Sequence, residues 1–170
     1  AADAFGASTS QAAWRWPVVT RRLDTARAEL RPAVATAAWT AGQALSVDEA
    51  LARGRALDGE DIYWLEEPIR HDDYVGLSKL ARELKVPIQI GENFSLPASM
   101  LVALDAQAAD YVMPDLERIG GVTGWREAAA IAQSRNIKMS SHLFPEVSAH
   151  LLAVTPTCHF LEYVDWAGIL

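Results

Sequence analysis

Short apolar runs, each cut off by an acidic residue or a histidine, recur along the chain. Ile62-Tyr63-Trp64-Leu65 runs into Glu66-Glu67-Pro68, and Val86-Pro87-Ile88-Gln89-Ile90 into Gly91-Glu92-Asn93. Tyr111-Val112-Met113 gives way to Pro114-Asp115, Ile137-Lys138-Met139 leads through Ser140-Ser141 to His142, and Phe160-Leu161 ends in Glu162. The successive steps from Glu66 to Glu92, Asp115, His142 and Glu162 are 26, 23, 27 and 20 residues. Runs this short, apolar and abruptly bounded predict buried strands. Helical patterns fill the intervals. Ser46-Val47-Asp48-Glu49 fits a capping box, with Ala50, Leu51 and Leu57 forming an inward stripe behind it. Tyr74–Leu84 places Leu77, Leu80, Ala81 and Leu84 at helical spacing. Pro97–Leu104 and Val122–Ser134 read the same way, and Leu151–Val154 predicts a shorter helical segment.

Strand and helix alternating at this step form the βα unit, whose strands are parallel. Two architectures use it, an open doubly wound sheet and a closed barrel. A barrel directs the C-terminal end of every strand at one mouth, so five strand-end polar residues can converge there. The expected fold is therefore α/β, a partial (β/α)8 TIM-type barrel comprising its later strands. Residues 1–44 differ in texture: Ala is frequent, Trp14, Trp16 and Trp39 are scattered, and Lys is absent. Thr20–Leu30 predicts a helix stopped near Pro32, and Val34–Thr40 is a weak strand candidate. No Pro/Gly/Ser-rich linker interrupts the chain. It reads as one domain over 1–170, with a divergent part (1–44) and a regular barrel segment (45–170).

Composition narrows the function. The 170 residues carry 15 Lys+Arg against 22 Asp+Glu, a net charge of −7. With no basic cluster, nothing offers a phosphate footprint, which argues against nucleic acid. No apolar run approaches the roughly 20 residues of a membrane span. Ala1–Gly6 has no positively charged start before an apolar stretch, so no signal peptide is expected and the cytoplasm is the expected compartment. Cys158, the one cysteine, is expected to serve as a small apolar residue.

The strand-end residues carry the candidate chemistry. Glu66, Glu92 and Asp115 at one mouth would repel one another unless positive charge sits among them. A hard divalent cation such as Mg²⁺, held through oxygen, meets that need. The plainer alternative is that each acid caps the next helix or faces water. His142 follows Asp115 by one strand, within reach of a hydrogen bond that would fix its tautomer and raise its basicity. Glu162 would face the acids from across the mouth. His71, His150 and His159 have no strand-end acid beside them and read as structural, and Trp64 and Trp125 as packing. Asn93 and Ser141 could line the mouth or serve as caps. Ile119-Gly120-Gly121-Val122 lacks the Lys-Ser/Thr of a phosphate loop and reads as a turn into a helix.

From about Gln43 to Leu170 the chain resembles the barrel domain of the enolase superfamily, in the mandelate racemase branch of the mandelate racemase/muconate lactonizing enzyme family. The resemblance rests on Trp64-Leu65-Glu66-Glu67-Pro68, the segments 86–93 and 113–125, Met139-Ser140-Ser141-His142-Leu143-Phe144, Ser148-Ala149-His150 and Leu161-Glu162. It implies that Glu66 and Glu92 are metal ligands for Mg²⁺. It implies that Asp115 and His142 form the dyad whose histidine removes a proton α to a carboxylate. Glu162 is then the acid that hydrogen-bonds that carboxylate as it becomes an enediolate. The implied substrate is a small 2-hydroxy acid, and the implied reaction a racemisation or an acid-sugar dehydration.

The sequence departs from that family at three positions. An ungapped count places Thr40 where the family has its first metal-ligand Asp, and Thr9 and Gln11 where it has a Lys-x-Lys. The first lysine in the chain is Lys79, and Asp48 sits inside a helix's first turn. The capping domain of the family finds no counterpart in the sequence. The expected consequences are weaker Mg²⁺ binding and one-base chemistry, since racemisation by two bases needs one on each face. The alternative is a catalytically inactive remnant that acts as a binding or assembly module. An open barrel exposes strand edges, so self-association is expected.

Overall fold

The computed structural model describes residues 45–164. The expected helix at Thr20–Leu30 and strand at Val34–Thr40 lie outside them. The elements alternate as α1 (Val47–Leu57), β1 (Leu65–Glu66), α2 (Tyr74–Glu83), β2 (Ile88–Ile90), α3 (Leu96–Asp105), β3 (Tyr111–Val112), α4 (Gly121–Ser134), β4 (Lys138–Met139) and α5 (Pro145–Leu152). The four strands form one sheet in the order β1-β2-β3-β4, all parallel. This is the parallel α/β arrangement of a partial barrel. The register pairs Glu66 with Gln89, Gln89 with Tyr111, and Tyr111 with Lys138, placing these four on one face. Ile90, Val112 and Met139 pair on the other face and join the apolar core.

Local chemistry explains the elements. Ser46 Oγ accepts from the Glu49 backbone N–H, while Glu49 reaches back to the Ser46 N–H at 2.9 Å, the reciprocal cap expected from the sequence. Asp73 caps α2 through the Gly76 N–H. The core gathers Leu77, Leu80, Ile88, Ile90, Met100, Ile119 and Met139 around Trp125, whose indole N–H donates to Thr155 Oγ1. Burying Trp125 while satisfying its one donor removes the usual cost of an interior indole.

Three expectations need correction. The last helix runs over Pro145–Leu152 rather than Leu151–Val154. Phe160-Leu161 forms no strand; instead the chain leaves a turn at Thr157 and pairs with β4 through the Met139–Cys158 bridge and the His159 N–H to Met139 carbonyl bond. Cys158 is exposed rather than packed.

The stretch ahead of β1 meets this last extended segment across the polar face. The Tyr63 ring lies 5.5 Å from those of His159 and Phe160, and its hydroxyl is 3.0 Å from His159 Nε2. His159 Nδ1 in turn lies 3.3 Å from Ser140 Oγ, which donates to Gln89 Oε1. No helix among the described residues is long and apolar enough to cross a membrane.

Candidate active site

Parallel strands that end at one level bring their following residues to one rim. Asp115 and His142 meet there as a further parallel bridge beyond β3 and β4. Asp115 is 1% exposed. Its Oδ1 accepts the backbone N–H groups of Glu117 and Arg118 at 2.9 and 3.0 Å, and its Oδ2 lies 2.9 Å from His142 Nδ1. With one oxygen fixed by the backbone, the other can only face the imidazole.

The two groups shift each other in opposite directions. Burial works against the Asp115 charge, but the His142 hydrogen bond, the Arg118 N–H and the charges of both residues outweigh it and hold the carboxyl below its ordinary value. Burial likewise opposes the imidazolium. The bond to Asp115 and the charges of Glu92, Glu162 and Asp115 prevail and raise His142 above its ordinary value.

Glu92, just past β2, completes the rim on the other ring nitrogen: its Oε2 lies 3.4 Å from His142 Nε2. Asn93 donates from Nδ2 to Glu92 Oε1 at 3.1 Å and to Glu67 Oε2 at 3.0 Å. Arg118 donates to the Glu92 carbonyl at 2.7 Å and to Asn93 Oδ1 at 3.2 Å, with its guanidinium 3.9 Å from Glu92 Oε1. Glu162 joins from the last segment. Its Oε2 accepts the Leu143 N–H at 2.7 Å, and its own N–H donates to Ser141 Oγ.

Glu92, Asp115, His142 and Glu162 thus form one cluster. Glu66 stands exposed at the end of β1, its Oε2 accepting from Trp64 Nε1 at 3.3 Å. Glu66 and Glu92 are hard oxygen donors at the ends of adjacent strands, which suits magnesium in kind. Their number falls short: among the described residues no group of three or more His, Cys, Asp and Glu side chains is placed to hold a metal ion. Thr40, Thr9 and Gln11 lie outside the described residues.

Three contributors escaped the sequence reading. Glu67 has φ 39° and turns its half-buried carboxylate towards the next strand, accepting from the Gly91 N–H and from Asn93. Burial first, and then the charge of Glu92, raise its carboxyl above the ordinary value. Arg118 supplies a resident positive charge beside Glu92. The signal was present, since acids crowded at a mouth call for a cation and Arg118 lies three residues after Asp115. The third is Ser148, whose hydroxyl donates to the Leu143 carbonyl. Asn93 and Ser141, left between lining and capping, both bond site acids.

The family described as enolase C-terminal domain-like matches residues 5–169. Among curated proteins, the chain is 35% identical over 117 residues to 3,6-anhydro-alpha-L-galactonate cycloisomerase of Streptomyces coelicolor, covering 69% of this chain and 32% of that protein. It is 30% identical to L-talarate/galactarate dehydratase of Salmonella typhimurium, covering 76% and 33%. Among solved structures, a Bradyrhizobium enolase complexed with magnesium and mandelic acid superposes with a TM-score of 0.71 at 44% identity, covering 74% of this chain and 35% of that one. The chain spans about a third of the length of the curated relatives it matches.

Proposed function

Because the chain belongs to the enolase C-terminal domain-like family, we propose that its rim abstracts a proton α to the carboxylate of a small 2-hydroxy acid. The observation that carries this reading is the Asp115–His142 pair at 2.9 Å, with Nε2 3.4 Å from Glu92 Oε2. Asp115 keeps the proton on Nδ1, so Nε2 presents a lone pair of raised basicity. His142 takes the α-proton there, and the C–H electron pair passes into the substrate carboxylate, giving an enediolate. In this reading Glu162 hydrogen-bonds that group, and Arg118 offsets the charge of the neighbouring acids.

Glu66 and Glu92 would hold magnesium, the metal found in the structural relatives. When bound, it supplies positive charge against the second negative charge of the intermediate. Proton return from His142 to the same face gives exchange without inversion. Donation of that proton to a departing β-hydroxyl gives dehydration, the reaction named for the Salmonella relative. The reading uses His142 alone as base, since an ungapped count puts Thr9 and Gln11 at the Lys-x-Lys positions.

A second reading, an inactive binding or assembly module, draws support from the missing third metal donor among the described residues. Solvent deuterium exchange into a panel of 2-hydroxy acids with Mg²⁺ present separates the two. Exchange by the native chain that disappears in His142→Gln is expected. No exchange with any acid would favour the inactive module.

A further inference from the structure

The turn after His142 is held in a backbone conformation that its residues disfavour. Leu143 has φ 52° and Phe144 φ 48°, consecutive non-glycine residues in the left-handed region, and neither has the short polar side chain that eases it. The contacts around this turn fix both its ends. Ahead of it, the His142 N–H donates to the Pro114 carbonyl and Ser141 Oγ accepts the Glu162 N–H. Within it, Leu143 donates its N–H to Glu162 and accepts the Ser148 hydroxyl at its carbonyl at 3.0 Å.

Glu162 belongs to the site already described, but Ser148 does not. Ser148 is fully buried in the first half of α5 and touches no reacting group. A serine hydroxyl inside a helix usually bonds the carbonyl three or four residues back. Ser148 reaches five back, past the helix start and into the turn. Its backbone N–H also donates to the Phe144 carbonyl at 2.8 Å. Both of its donors are therefore spent on the two left-handed residues.

We infer that Ser148 is a positioning residue for His142. Its hydroxyl anchors the Leu143 carbonyl, keeps Leu143-Phe144 left-handed and fixes the direction in which His142 leaves the strand end, with Nδ1 on Asp115. The functional weight of this inference rests on His142 as the base. The experiment reads the dyad hydrogen bond rather than turnover, so the two ideas fail separately.

The readout is the far-downfield proton resonance of the His142 Nδ1–H bonded to Asp115, assigned by its loss in His142→Gln of the full chain. Ser148→Ala is expected to abolish the resonance while helical circular dichroism is kept. Ser148→Thr, which retains the hydroxyl, is expected to preserve it. Adding Leu143→Gly to Ser148→Ala is expected to restore it, because glycine enters the left-handed region without penalty.

An unchanged resonance in Ser148→Ala, or none in the native chain, would overturn the inference. So would a folded Ser148→Ala/Leu143→Gly chain without it, or loss from Ser148→Thr. Unfolding of both alanine variants also counts against it, since Ser148 would then hold the fold rather than the base. An intact resonance with no deuterium exchange would sink the catalytic reading and leave the positioning role standing.

Discussion

Replacing Asp115 by Asn removes one charge from the dyad and nearly preserves its shape. The Asn oxygen can still accept from the Glu117 and Arg118 N–H groups, while its amide then faces His142 Nδ1 without a charge. The His142 and Asp115 side chains are 12% and 2% exposed, so water screens the pair poorly. A hydrogen bond to a charged group contributes about 1.5–3 kcal/mol net, and the lower half of that range suits a pair with one member at the rim.

The pH dependence fixes the sign. His142 is raised in the folded state; its contribution is complete below its unfolded value, about 6.5, and is lost as pH rises through the folded value. Asp115 is lowered; its contribution is complete above about 3.9 and is lost as pH falls through the folded value. The pair is therefore worth most between those two values. Urea unfolding followed by tryptophan fluorescence is expected to show Asp115→Asn destabilised by about 2 kcal/mol near pH 5.5. The difference should be smaller near pH 9, as His142 loses its charge and keeps only its Nδ1–H bond to the carboxylate. A difference of the same size at both pH values would refute the charged dyad and leave only a packing or backbone-capping role.

Two further outcomes are expected. In Mg²⁺ titration calorimetry, Glu66→Gln and Glu92→Gln should each bind at least about tenfold more weakly than the native chain, since even lost outer contacts cost that much; equal heats in all three would refute the metal assignment. Sedimentation velocity should show self-association, because the sheet of the described residues ends at β1 rather than closing through its own strands; a monodisperse monomer would contradict this.

The βα rhythm was legible because each strand's C-terminal end is marked by a polar residue, and that mark also located the site. Of the five residues so marked, Glu92, Asp115, His142 and Glu162 gather at one rim, and Glu66 is not among them. The start of α5 was illegible for a definite reason. Its N-cap is Phe144, which offers no side-chain acceptor, and the turn before it is held by Ser148 and Glu162 from outside. Local sequence carries no trace of such remote anchors. Strand status for Phe160-Leu161 failed similarly, because pairing depends on a neighbour's register rather than on apolarity. The cation beside the acids was sought as a metal, and the structure shows that Arg118 supplies part of that charge.

The contact of Tyr63 with His159 bears on how the chain folds. Neighbouring βα units meet after loops of roughly 25 residues, whereas this contact closes 96. Loop-closure entropy grows as (3/2)RT ln n, so this closure costs about 1 kcal/mol more than joining two adjacent units. Adjacent units can therefore assemble in a row before the ring-to-ring contact becomes favourable. Among the described residues, this contact ties the stretch ahead of β1 to the segment beside β4 only after the units between them have been added one by one.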